Sequence, residues 1–190
     1  MERYERLALV AATVDALNQH DSRASRAHVH KTMYFVQRWS GLEPPYSFII
    51  YQYGPYAFQL DEDIGELLSF SALSSEAARD GYGVRYATGK PARSLVADYE
   101  RALAPWQPVL EFAADQLGTR KSNELQLLGT TAIVLGSLGE VDQRAIVAEV
   151  RRLKPQYSES EVEQAIREVK ALDAEAERYL ASGDAAAVAD

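Results

Sequence analysis

The chain has no cysteine, which excludes a disulfide framework and all thiolate chemistry. Histidine is scarce as well: His20, His28 and His30 are the three present. Residues two apart on a helix point to different faces, so metal ligation is a poor reading and surface or helix-packing histidines the better one. No Gly-x-Ser-x-Gly elbow prepares a serine nucleophile. The short Gly81-Tyr82-Gly83 segment reads as a hairpin turn, since no Gly-Lys-Ser/Thr follows to cradle a phosphate. No window approaches the ~20 uninterrupted apolar residues of a membrane span. The first residues, Met1 to Arg6, lack the apolar stretch of a secretory signal. No repeat of constant period and no low-complexity linker is visible. These absences point to a cytoplasmic chain without a cofactor, one that binds rather than catalyses.

What is present is an ordinary globular composition of 190 residues, 47% apolar and 25% charged. A chain of this length buries roughly 70% of its unfolded surface and folds without staples. The net charge of −8 is unevenly placed. Residues 1–95 hold 11 acidic and 10 basic side chains, a balance of −1, while residues 96–190 hold 17 and 10, a balance of −7. The second half repels phosphate on average and suits a basic partner.

Apolar spacing predicts a first helix over residues 4–19, with Leu7, Val10, Ala11, Val14 and Leu17 as one stripe. Ser25 caps a second helix that turns Val29, Met33 and Val36 inward and stops at Gly41. Phe48 to Tyr51 reads as a strand. Gly54-Pro55 breaks it, with Pro55 opening a helix over roughly residues 56–70. In that helix Leu60, Ile64, Leu67 and Leu68 face one side, and Asp61, Glu62, Asp63 and Glu66 mostly the other, a solvated face on which paired carboxylates such as Asp61 and Asp63 are not expected to catalyse. Leu73 to Tyr86 suggests a hairpin. The second half reads as helix throughout, divided near Pro105 and Pro108, with Asp142 and the Ser158-x-x-Glu161 capping box starting its last two helices. The fold class is therefore mainly α (α+β). A winged-helix-like half over residues 1–90 carries a small β-hairpin or sheet, and a helical half over residues 91–182 shares its core. Residues 183–190 read as a frayed tail.

The most informative segment is Lys31-x-x-Tyr34-Phe35-x-Gln37, followed by Tyr53-Gly54-Pro55-Tyr56-Ala57, Leu60 and Gly81-Tyr82-Gly83. This combination resembles the YwgA-like family and, within it, the C-terminal domain of DarG-type antitoxins. The resemblance extends more faintly to Trp106 and to the helix start at Glu124. More distantly, the turn is similar to Panacea (SocA-like) antitoxin domains. Thr32 departs from the pattern, replacing the usual apolar residue after the lysine. DarG-type proteins neutralise DarT, a toxin that ADP-ribosylates single-stranded DNA. Their enzymatic macrodomain is not expected within these 190 residues, which open on the helix preceding the motif; whether one is fused upstream stays open. The resemblance thus implies direct toxin binding, through an acidic surface that mimics DNA.

Two surfaces are candidates for the protein partner, the last helix first and the aromatic turn second. The last helix offers Glu163, Glu168, Asp173 and Glu175, within a stretch of seven acidic and two basic residues between 159 and 177. The aromatic turn offers Tyr53 and Tyr56. Tyr34, Tyr46, Tyr51 and Tyr86 suit core packing better than a stacking platform, whereas Tyr82, like Tyr53 and Tyr56, flanks a turn and is a candidate for a recognition surface. The alternative function is a nucleic-acid-binding regulator that places Arg23, Arg26, Lys31 and Arg38 of the second helix on phosphates.

Overall fold

A computed structural model describes residues 1–20, 22, 24–77, 84–139 and 142–182. In chain order the elements are α1 (Arg3–Gln19), α2 (Arg26–Ser40), β1 (Ile49–Tyr51), β2 (Gly54–Tyr56), α3 (Phe58–Ser69), β3 (Leu73–Ala77) and β4 (Val84–Thr88). There follow α4 (Lys90–Asp98), α5 (Glu100–Leu103), α6 (Gln107–Leu117), α7 (Ser122–Leu138), α8 (Gln143–Leu153) and α9 (Glu159–Ala181). The protein is mainly helical, and among the described residues its strands form two separate antiparallel hairpins, β1–β2 and β3–β4. None of the described helices is long and apolar enough to cross a membrane.

One hydrophobic core runs through both halves, from Leu7 and Val14 of α1, through Phe35 of α2 and Leu110 of α6, to Leu128 of α7 and Leu172 of α9. The first helix is more central than a single stripe requires. Ala8, Leu9 and Ala12 are buried beside the expected residues, because α2, α3, α4, α6 and β4 all pack on α1. The helix α7 is likewise buried on several faces, as its composition requires.

Local signals explain most boundaries. The Ser25 hydroxyl accepts from the His28 N–H at 3.3 Å and starts α2, and Gly41 ends it in the left-handed region at φ 65°. Asp142 caps α8, and the Ser158–Glu161 capping box starts α9. Pro91 and Pro108 occupy first-turn positions of α4 and α6, where the missing N–H costs nothing.

Two expectations need correction. Pro55 does not open a helix: it lies in β2, opposite Ile50, and α3 begins at Phe58 with Ala57 as its N-cap. A proline is tolerated there because β2 is an edge strand with a single partner. Asp63 does not lie on a solvated face but is 2% exposed. Arg6 of α1 and Tyr46 close over that flank of α3. Tyr46 donates to its carboxylate at 2.8 Å, Arg6 Nε at 3.1 Å and Gln59 Nε2 at 3.2 Å, which satisfies a buried charge. The turn at Gly81-Tyr82-Gly83 and the tail from residue 183 lie outside the described residues.

Candidate binding site

The two ends of the family-like motif meet in space. The β1–β2 hairpin pairs Ile49 with Tyr56 and Tyr51 with Gly54, leaving Gln52 and Tyr53 as its two-residue turn. The C-terminal half clamps this turn. Lys154 Nζ donates to the carbonyls of Tyr51 at 2.8 Å and Gln52 at 2.5 Å. Gln126 Nε2, on α7, donates to the same Gln52 carbonyl at 2.8 Å. Tyr157 in turn donates to Gln126 Oε1 at 3.2 Å and to the Asn123 carbonyl at 2.8 Å. A short hairpin of marginal intrinsic stability is thereby made rigid.

On this support stands a cluster of aromatic side chains. Tyr51, Tyr56 and Phe58 approach one another with ring centroids 5.1 to 6.2 Å apart. Tyr53 at the tip is 69% exposed, Phe58 59%, Tyr51 49% and Ile49 45%. Tyr56 lies parallel to His30 of α2, with centroids 4.4 Å apart and planes 6° apart. The His30 ring is fixed from both sides. Its Nδ1 accepts the Ala57 N–H at 3.3 Å, so the ring proton sits on Nε2, 3.4 Å from Asp61 Oδ1. Burial, then the charge of Lys31, lowers the His30 pKa to about 4, and the ring is neutral at pH 7.

Beneath the cluster lies a cavity of about 360 Å³, lined by Arg26, His30, Lys31, Tyr51, Tyr53 and Tyr56 among others. Lys31 runs past Gly54 of β2 and Gly129 of α7. A Cβ on Gly54 would lie 3.5 Å from Lys31 Cε, and one on Gly129 of α7 would lie 3.8 Å from Lys31 Cγ and 2.6 Å from the Pro55 ring. The lysine is 3% exposed and has no hydrogen-bond or ion-pair partner among the described residues. Burial and the nearby charge of Lys154 lower its pKa to about 8.

The remaining candidate residues fare differently. On α9, Glu168 is ion-paired with Arg120. Asp173 accepts from Arg38 Nε at 2.9 Å, Arg38 Nη2 at 2.7 Å and Trp39 Nε1 at 2.8 Å. Two of the four carboxylates proposed for a partner are thus engaged within the chain. Glu163 is half-buried and Glu175 exposed, and neither pairs with a described residue. They stand about 18 Å apart along the helix axis, too far to imitate adjacent phosphates between them. On α2, Arg26 pairs with Asp61 at 2.7 Å, Arg38 with Asp173, and Lys31 is buried. The row expected to contact nucleic acid is therefore not a free basic face; Arg23 lies outside the described residues. Of the histidines, His20 sits 3.4 Å from Glu111 and His28 bonds the Arg120 carbonyl at 2.9 Å, so the three serve separate elements.

Sequence reasoning missed Phe58, Ile49 and Lys154. Phe58 was placed inside a helix opened by Pro55, and only its position directly after Tyr56-Ala57 marked it as part of the turn. No protein-family model matches the chain, and no curated protein matches it in sequence.

Proposed function

We propose that the protein is a non-enzymatic, antitoxin-like binding module that neutralises a DNA-modifying toxin of the DarT-like ADP-ribosyltransferase kind by protein–protein contact. The choice of partner rests on the resemblance of Lys31-x-x-Tyr34-Phe35-x-Gln37 and Tyr53-Gly54-Pro55-Tyr56-Ala57 to DarG-type antitoxin domains. The observation that supports binding as the mode of action is the aromatic group Tyr51, Tyr53 and Phe58, exposed on a hairpin held by Lys154 and Gln126. Rigid, exposed aromatic side chains are the usual anchors of protein interfaces, because they bury much area at little entropic cost. The hairpin is the primary contact in this reading. Glu163 and Glu175 of α9 add negative charge that speeds encounter with a basic partner.

The test is titration of the protein into a DarT-like enzyme, reading both complex formation and modification of single-stranded DNA. Wild type is expected to bind and inhibit. A Tyr53→Ala, Phe58→Ala variant should bind at least about tenfold more weakly. A Glu163→Gln, Glu175→Gln variant should mainly slow association at low salt. Failure of the wild type to bind any such enzyme would end this reading.

A further inference from the structure

We infer that the cavity under the β1–β2 hairpin is a binding site for a nucleoside phosphate, with the phosphate on Lys31 and the base against Tyr53. The inference goes beyond toxin binding and does not depend on it.

The first support is an uncompensated charge. Lys31 and Lys154 are 3% and 5% exposed, yet neither is paired with a carboxylate among the described residues. Lys154 spends its protons on two neutral carbonyls, and Lys31 has no hydrogen-bond or ion-pair partner among the described residues. Buried ammonium groups ordinarily gain a counter-charge or lose their proton, and Lys31 is already pushed toward losing it. Among the described residues the cavity lining holds no carboxylate, and Asp61, behind Arg26 and His30, is occupied by Arg26 at 2.7 Å and faces the His30 Nε2 proton. No described residue supplies the counter-charge, and a bound anion would.

The chemistry of that ligand follows from the donors. Arg26 is engaged with Asp61, so the described lining offers no free guanidinium fork to grip a planar carboxylate. A lone buried ammonium is a point charge, which suits the tetrahedral oxygens of phosphate. The walls are aromatic. Tyr56 already has one face covered by His30, whereas Tyr53 makes no ring contact with a described residue and is 69% exposed at the cavity rim. An unoccupied tyrosine face beside a cation is the arrangement that stacks a nucleobase irrespective of its identity. A cavity of about 360 Å³ lies at the lower end of small-molecule sites, the size range of one nucleotide rather than a dinucleotide.

The experiment is calorimetric titration of the full chain with AMP, adenosine and inorganic phosphate in parallel. AMP should bind, and adenosine and phosphate should each bind much more weakly, because each supplies half of the contacts. Lys31→Met keeps the stem's volume and should weaken AMP at least about tenfold; Tyr53→Ala should weaken it by about tenfold. Tyr53 is at an exposed turn, so its variant reports on the site even where the Lys31 variant folds poorly. A 5′-phosphorylated oligo-dT arm separates the sources. Tighter binding than dTMP assigns the site to the end of a single strand, and equal or weaker binding assigns it to free nucleotides. Absence of AMP binding at millimolar concentration, or AMP binding that survives the Tyr53 substitution unchanged, overturns the inference.

Discussion

Arg38 on α2 and Asp173 on α9 form a two-pronged ion pair, Nε to Oδ1 at 2.9 Å and Nη2 to Oδ2 at 2.7 Å, although 135 residues separate them in sequence. Trp39 Nε1 adds a third donor to the same carboxylate at 2.8 Å. Parallel guanidinium–carboxylate bonds are among the stronger polar contacts, and here they tie the N-terminal half to the last helix. Asp173→Asn keeps the shape and removes the charge, leaving Arg38 partly buried without its partner. The expected cost is about 1–3 kcal/mol, read as a lower denaturant midpoint at unchanged slope. Glu175→Gln, on the exposed face of the same helix, should stay within about 0.5 kcal/mol of wild type. Equal effects at the two positions would show that Asp173 is a surface acid after all.

Gly54 has φ 91°, and a Cβ there would lie 3.1 Å from the Gln126 carbonyl oxygen of α7. Both the backbone conformation and the contact resist a side chain. Gly54→Ala is expected to lower stability by roughly 1–3 kcal/mol. Gly41→Ala is the comparison: its φ is 65°, but nothing lies within 4 Å of the added methyl. It should cost only the backbone preference, about 1 kcal/mol. Thermal melts of the two variants separate the terms. A smaller loss at Gly54 than at Gly41 would mean that β2 does not press on α7 in solution.

The helical class, the capping residues and the buried stripes were legible because each rests on residues within one turn of one another. Ser25, Gly41, Asp142 and Ser158 act where their local chemistry places them. What was not legible depends on partners far along the chain. Asp63 reads as a solvated acid until Tyr46 and Arg6 close over it. Glu168 and Asp173 read as part of an acidic strip until Arg120 and Arg38 neutralise them. Lys31 reads as one more basic residue on α2. Its burial comes from the packing of α2 against β2 and α7, far along the chain, which no pattern of polarity reveals. Tyr53 was legible as a candidate because it adjoins a glycine-proline turn. That the turn is a hairpin clamped from α7 and Lys154 was not. Thr32, which departs from the family pattern, is fully buried with its hydroxyl lacking a partner among the described residues, and the structure supplies no reason for the hydroxyl.

The Lys31 ammonium makes a stability prediction with a definite sign. Its pKa is lowered from 10.5 to about 8 by burial first and by the charge of Lys154 second. Below about pH 8 both the folded and unfolded chains carry the proton, and the fold bears the whole penalty of the buried charge. Between about pH 8 and 10.5 the unfolded chain binds more protons at this group than the folded one, so its contribution to stability rises with pH. The penalty relieved is roughly 3 kcal/mol at most. The other groups around the cavity do not reverse this. His30 is already neutral throughout the window, Asp61 and Arg26 remain paired, and Lys154, itself lowered by burial, titrates with the same sign. Tyr56 at the cavity, the half-buried Tyr34 and the buried Tyr46, all raised by burial first, act in the opposite sense near and above pH 10. The comparison is therefore wild type against Lys31→Met at each pH, in which the tyrosine effects cancel. Lys31→Met should be the more stable protein at pH 7, and its advantage should shrink steadily from about pH 8 to 10. An advantage that does not change with pH, or a variant less stable than wild type throughout, would show that Lys31 has an internal partner and carries no unmet charge.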